Sequence, residues 1–328
     1  MKNRSDTLRV FSGRANPALS QLIANCLQDS LGDITIADFP DGETSVQIEE
    51  DVRGGDIFIV QSTCPPVNQN LMELLIILDS FKRASASRVT VVLPYYGYAR
   101  QDRKDRGRVP ITAKLTADLL AQAGAHRVLV LDLHAAQIQG FFNIPVDHLE
   151  ANPIIAKYIR DLKIPSDDLV VLSPDEGSIK RALSYQDRLG GGIAIVDKRR
   201  SSAFKTEQAN LIGTTLKNKT VLIFDDIIST GGSIAGAAEV AMNAGAEAVY
   251  ACATHAIFCG AALENLRKAP FKEIVVTDSV PLSPEKRLPN IRVLSVAPLL
   301  ANAIRRIHLN QSVSQLFKWE PDELLYST

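Results

Sequence analysis

The run Val221–Ser233, VLIFDDIISTGGS, sets two carboxylates between an apolar stretch and a turn of small hydroxyl residues and glycines. The apolar residues 221–224 predict a buried strand, and the helical pattern resumes near Ser233. Asp225 and Asp226 then fall at the carboxyl end of the strand, the edge on which open α/β sheets place ligands. Gly231 and Gly232 let the backbone curl close to a ligand, and the following helix N-terminus offers N–H groups to an anion. Ser229, Thr230 and Ser233 add hydroxyl donors, so the loop suits a monoester phosphate. The acid pair can also accept hydrogen bonds from vicinal hydroxyls of a sugar held by that phosphate, or help to ligate a metal.

Positive charge gathers in two other places. Tyr95–Arg108 holds Arg100, Arg103, Lys104, Arg106 and Arg108 against Asp102 and Asp105, beside a cluster of tyrosines. Arginines in such a loop can neutralise the oxygens of a triphosphate. Lys198, Arg199 and Arg200 open a second long polar connection, 197–220. Connections of that length in a compact domain are usually functional or disordered. His134 and Asp175 each follow an apolar run, which puts them on the carboxyl edge of a sheet as well. His255 ends a similar run, so position alone does not mark a histidine as a metal ligand.

These groups must be held by a scaffold, and its pattern is regular. Short apolar runs at 57–61, 89–93, 128–133, 169–172, 193–196, 221–224, 249–253 and 274–277 read as buried strands. Segments 70–82, 111–123 and 233–244 have helical spacing. Strands alternating with helices predict an α/β fold with mainly parallel sheets flanked by helices. The chain also matches itself without gaps at an offset of 121 residues: ADLLAQAGAHRVLVLDLH (117–134) against AEVAMNAGAEAVYACATH (238–255). With 328 residues, this favours two related domains, residues 1–148 and 149–328.

Composition excludes several classes. Thirty-six basic and thirty-seven acidic residues give a net charge of −1, so no global field draws the chain to nucleic acid or to an acidic membrane. Four cysteines, with no metal-site or secretory spacing, read as reduced thiols. The opening residues lack the apolar region of a signal peptide, and no apolar run is long enough to span a bilayer. The expectation is a cytoplasmic protein.

The strand, acid pair and Thr-Gly-Gly loop resemble the fingerprint of the phosphoribosyltransferase superfamily. FSGRANPAL (11–19), FPDGETSVQI (39–48), YYGYARQDRK (95–104), LDLHAAQIQGFF (131–142), SPDEG (173–177) and VDKRR (196–200) narrow the resemblance to the ribose-phosphate diphosphokinase family, over residues 7 to about 317. That resemblance implies two phosphoribosyltransferase-like domains. It implies transfer of the diphosphoryl group of MgATP to the C1 hydroxyl of ribose 5-phosphate, which serves nucleotide biosynthesis. It also implies that Arg100 and Gln101 contact ATP with Asp102, Arg103 and Lys104 alongside, and that Phe39 stacks on adenine while Asp41 and Glu43 recognise its polar groups. Because that loop comes from a neighbouring subunit in the family, a homo-oligomer, a hexamer, is implied. Without the resemblance, Asp41-Gly42 reads only as a hairpin turn.

The resemblance further implies that His134 and Asp175 bind Mg²⁺, and that Lys198 and Arg200 lie on a catalytic flap. Arg200 then joins Asp225, Asp226, Ser229, Thr230, Gly231, Gly232 and Ser233 around ribose 5-phosphate. Family members respond to phosphate and ADP, and Arg53 and Arg181 are candidates for such a regulatory site. The chain departs from the commoner pattern at Ser229, Ser233, Glu176 and Ser178. The alternatives are an ordinary phosphoribosyltransferase, which would not need the 100–101 loop or Lys198 and Arg200, and a non-catalytic associated subunit, which typically lacks the flap cations or the metal histidine.

Overall fold

The computed structural model describes residues 7–197, 210–322 and 324–326, so Lys198, Arg199 and Arg200 lie outside the described residues. Contacts divide the chain into two units, Met1–Ala151 with Ser279–Pro281 and Ser295–Trp319, and Asn152–Asp278 with Leu282–Leu294 and Glu320–Thr328.

The first unit runs β1 (Leu8–Ser12), α1 (Pro17–Leu27), β2 (Ile34–Asp38), β3 (Thr44–Ile48), β4 (Asp56–Val60), α2 (Val67–Arg83), β5 (Arg88–Leu93), α3 (Thr112–Ala123), β6 (Arg127–Leu131) and β7 (Val146–Leu149). Its main sheet has the order β1-β4-β5-β6-β7, with every neighbouring pair parallel. A parallel sheet needs cover on both faces, and β4 (DIFIV) is accordingly buried along its whole length. α1 starts where Asn16 accepts the Leu19 N–H and Pro17 occupies the first turn. β2 and β3 form a separate antiparallel hairpin whose Ile34, Ile36, Val46 and Ile48 pack on the core of this unit.

The second unit runs α4 (Asn152–Asp161), β8 (Leu169–Ser173), α5 (Ile179–Leu189), β9 (Gly192–Asp197), β10 (Asn210–Gly213), β11 (Thr220–Ile228), α6 (Gly232–Asn243), β12 (Ala248–Ala256), α7 (Ala262–Lys268), β13 (Glu273–Thr277) and β14 (Ile291–Leu294). The sheet order is β10-β9-β8-β11-β12-β13-β14, parallel except for the antiparallel edge strand β10. From β8 the chain steps outward to β9, and β11 then returns to the other side of β8. The β8–β11 gap is therefore a topological switch point, where an open sheet splays its loops apart and leaves a crevice.

α8 (Ala297–His308) does not follow the 148/149 division expected from the sequence. Its apolar face, including Leu299, Leu300, Ile304 and Ile307, is buried, it packs against α1, and His308 Nδ1 lies 2.8 Å from Asp56 Oδ2 of β4. Sequence proximity put this helix in the second domain, but tertiary burial returns it to the first unit.

The self-match survives as geometry for most of its length. Gly124 after α3 and Gly245 after α6 occupy equivalent places, with φ of 129° and 87°, as left-handed helix ends require. It breaks at its last residue. His255 is buried inside β12, whereas His134 is exposed beyond the end of β6.

Candidate active site

Asp225 and Asp226 lie within β11 rather than after it. β12 is nine residues long and keeps its partner strand paired through Asp225–Ala253, Ile227–His255 and Ile228–Ala256. Asp226 is buried and Asp225 half-buried. Arg181, in the first turn of α5, donates from Nη1 to Asp225 Oδ1 at 3.0 Å and to Asp226 Oδ1 at 2.9 Å. The Asp226 backbone N–H donates to Asp225 Oδ1 at 2.9 Å. Burial pushes the Asp225 carboxyl up to about 7, and the neighbouring Asp226 adds to the rise while Arg181 opposes it.

The loop that follows turns its carbonyls away from its centre. Ile228 O accepts from Ile257 and Phe258 N–H, Ser229 O from Cys259 N–H at 3.0 Å, and Thr230 O from Asn265 Nδ2 at 2.8 Å. Gly231 caps α6 with φ 75°, and a Cβ there would sit 3.3 Å from Leu266, so the buried turn suits glycine twice over. Ser229 is half-buried, and Thr230, Gly232 and Ser233 are exposed at the start of α6. The first N–H groups of a helix have no intrahelical acceptors, so this edge presents donors to an anion.

Asp175 sits on the other side of the switch point, after β8. Its Oδ1 accepts the Ser178 N–H at 2.9 Å and caps a short 3₁₀ turn, which leaves Oδ2 as its second acceptor. A carboxylate oxygen at the carboxyl end of a sheet strand suits Mg²⁺, which takes few protein ligands and completes its shell with phosphate oxygens and water.

In the first unit, His134 stands three residues past β6 rather than at its end. Asp132 turns the chain with φ 41°, accepts the Ala151 N–H at 2.8 Å on Oδ2, and donates its own N–H to Leu149 O. His148 Nε2 accepts the Leu133 N–H at 3.0 Å. Burial lowers the His148 pKa, which keeps the ring neutral and able to accept. His134 is therefore exposed on a pinned turn.

The β2–β3 hairpin turns at Phe39–Gly42, with Gly42 N–H on Phe39 O at 2.8 Å and Gly42 at φ 91°. Phe39 is 53% exposed although it is a large apolar ring, and Asp41 and Glu43 are exposed beside it. Arg14 anchors the base of this tip. Its guanidinium bonds both oxygens of Asp38 at 3.0 and 2.7 Å and Glu73 Oε2 at 2.6 Å. On the 95–110 connection, Arg100, Gln101, Arg103 and Lys104 are exposed and Asp102 is half-buried. Gln101 bonds Thr112 at the start of α3 and accepts the Ala113 N–H on its carbonyl at 3.2 Å, while Asp102 accepts from Gln137 at 3.1 Å.

Comparison with known proteins matches this arrangement to one enzyme family. Residues 8–124 match the N-terminal domain of ribose phosphate pyrophosphokinase, and residues 208–318 match the phosphoribosyl synthetase-associated domain. The ribose-phosphate pyrophosphokinase of Rhodopirellula baltica is 57% identical over 95% of this chain and 98% of its own length. That of Caldanaerobacter subterraneus is 53% identical over 97% of this chain and 100% of its own. The chain belongs to the ribose-phosphate pyrophosphokinase family. A crystal structure of phosphoribosylpyrophosphate synthetase from Mycobacterium smegmatis superposes with a TM-score of 0.87 at 44% identity, covering 93% of this chain and 99% of that one. Kinship over nearly the full length is to pyrophosphokinases and favours neither the non-catalytic subunit nor an ordinary phosphoribosyltransferase.

Within the second unit, the fold of this pyrophosphokinase brings Asp225, Asp226, the 229–233 loop and Asp175 to one switch point. Within the first, it sets the Phe39 tip, the 100–104 loop and His134 on separate loops. Sequence reasoning missed Arg181 as part of the acid site and assigned it to regulation. The only signal for it in the sequence is a basic residue shortly after Ser-Pro-Asp. Arg53 lies elsewhere, in an exposed turn capped by Asp51. Among the described residues no helix is long and apolar enough to cross a membrane.

Proposed function

We propose that the chain joins MgATP and ribose 5-phosphate into 5-phosphoribosyl 1-diphosphate and AMP. The observation that carries this reading is the partly buried acid pair next to an anion-facing helix N-terminus at the switch point, in a chain with full-length kinship to pyrophosphokinases. The sugar phosphate binds the N–H and hydroxyl groups of Ser229, Thr230, Gly231, Gly232 and Ser233, and the 2- and 3-hydroxyls donate to Asp225 and Asp226. Phe39, Asp41 and Glu43 hold the adenine, and Arg100 and Gln101, with Asp102, Arg103 and Lys104 nearby, hold the phosphates.

The C1 oxygen attacks the β-phosphorus and forms the new P–O bond. The bond from the β-phosphorus to the α–β bridging oxygen breaks, AMP leaves with that electron pair, and the hydroxyl proton passes to solvent. Such a transfer asks the protein chiefly for positioning and charge stabilisation, which is the work assigned to Lys198 and Arg200. By family resemblance, His134 and Asp175 are the side chains that would offer ligands to Mg²⁺. Bound there, the ion would neutralise phosphate oxygens.

The exposed Phe39 ring, on a tip otherwise lined by carboxylates, supports completion of the site by a neighbouring copy and hence a homo-oligomer, a hexamer by family resemblance. The test is to incubate the purified chain with Mg²⁺, ATP and ribose 5-phosphate and follow AMP. Sugar-dependent AMP is expected. Its absence across several divalent metals, with phosphate added, would refute the proposal.

A further inference from the structure

Consecutive residues of a strand project to opposite faces of the sheet, so an Asp-Asp pair in β11 has no intrinsic reason to act together. In this fold one nitrogen joins them: Arg181 Nη1 lies 3.0 Å from Asp225 Oδ1 and 2.9 Å from Asp226 Oδ1. The helix carrying Arg181 is registered on the same strand by an aromatic stack. Tyr185, one turn further along α5, lies on Phe224, the residue before Asp225, with ring centroids 3.6 Å apart and planes at 9°. Both rings are buried, so the guanidinium is delivered to the acid pair by packing rather than by a mobile surface reach.

We propose that Arg181 is a positioning residue for the sugar site, drawing Asp225 and Asp226 into one hydroxyl-binding pair through its single bridging nitrogen. This rests on the function proposed above. Two donors, Arg181 and the Asp226 N–H, converge on Asp225 Oδ1 and fix the orientation of that carboxylate. Removing Arg181 would leave two adjacent carboxylates, one buried, without the cation between them. Burial already favours the neutral form of Asp225. The consequence falls on recognition of the sugar's vicinal hydroxyls. ATP binding and the phosphate loop are left in place.

The experiment compares wild type, Arg181→Gln and Arg181→Lys with ribose 5-phosphate and 2-deoxyribose 5-phosphate as acceptors. For Arg181→Gln, KM for ribose 5-phosphate should rise about tenfold or more, with KM for ATP within about twofold of wild type. The preference for ribose over 2-deoxyribose should fall by about tenfold, because a hydroxyl contributes discrimination only while a placed carboxylate receives it. Arg181→Lys should recover part of both, since one ammonium can stand between two carboxylates. Should Arg181→Gln fail to fold, the lysine variant carries the same comparison, with an intermediate preference expected. A wild-type preference retained in the folded variants overturns the proposal, and so does a lysine variant no better than glutamine. Wild-type protein that forms no AMP defeats the activity itself, whereas normal wild-type turnover with indifferent Arg181 variants defeats only this role.

Discussion

Arg14→Ala separates a buried charge effect from an exposed one on a single side chain. In the native unit, Glu73 is 1% exposed. Its Oε1 accepts the Arg14 backbone N–H at 2.7 Å and Gln61 Nε2 at 2.9 Å, and its Oε2 accepts Arg14 Nε at 2.6 Å. Removing one partner of a buried ion pair costs about 3–5 kcal/mol, because the other charge is stranded away from water. Here both donors to Oε1 survive the substitution, so the expected loss is about 2–3 kcal/mol. For a unit of this size each kcal/mol moves Tm by about 2–4 °C, so the first unit should melt about 5–10 °C lower by calorimetry. Adding Glu73→Gln should recover part of that loss, because a neutral amide costs less to bury than an uncompensated carboxylate. Arg83→Ala is the control: Arg83 pairs with Asp79 one turn away on an exposed helix face, and its loss should leave Tm unchanged. Arg14 also grips Asp38, the residue before Phe39, so KM for ATP should rise in Arg14→Ala while KM for ribose 5-phosphate holds. An Arg14→Ala protein that melts with the Arg83→Ala control would refute the buried-pair reasoning.

Gly231→Ala forces a Cβ onto a residue at φ 75° and within 3.3 Å of Leu266, so it should destabilise the second unit by about 1–2 kcal/mol in thermal melts and raise KM for ribose 5-phosphate. Lys198→Ala should lower kcat by on the order of a hundredfold or more while ATP binding, followed by calorimetric titration, stays near wild type. Because the Asp225 carboxyl is pushed up to about 7, kcat/KM for ribose 5-phosphate should fall as pH drops through that value, and Asp225→Asn should flatten the limb. The same raised value works in the opposite direction on stability. Its stabilising contribution is full below the ordinary value of 3.8 and is lost as pH rises through about 7, a slope that chemical denaturation across pH should lose in Asp225→Asn.

Much of the second unit's site can be read from contiguous residues. Val221–Ser233 contains the strand, the acid pair, the hydroxyls and the left-handed glycine in chain order, and each depends on local backbone chemistry. The same is true of the hairpin turn at Asp41-Gly42 and of the glycines that close α3 and α6. The strands at 8–12, 34–38, 44–48, 146–149, 210–213 and 291–294 were not legible, because short or half-exposed strands lack an uninterrupted apolar run. The run 128–133 predicts a strand that His134 ends, since apolar Leu133 continues it, but pairing stops where Asp132 takes positive φ.

By itself the sequence determined the α/β class and the family, and it set the acid pair, hydroxyls and glycines of the 225–233 loop in chain order. These follow from periodicity and from groups adjacent in the chain. Only the tertiary structure decided that α8 joins the first unit, that Glu73 and Arg14 clamp the Phe39 hairpin, and that Arg181 belongs to the acid pair. Each of these depends on which buried faces meet when the sheets close. Arg181 and Asp225 are separated by 44 residues, and no local rule brings a guanidinium across that distance. The stack of Tyr185 on Phe224 does, because packing sets α5 in register with β11.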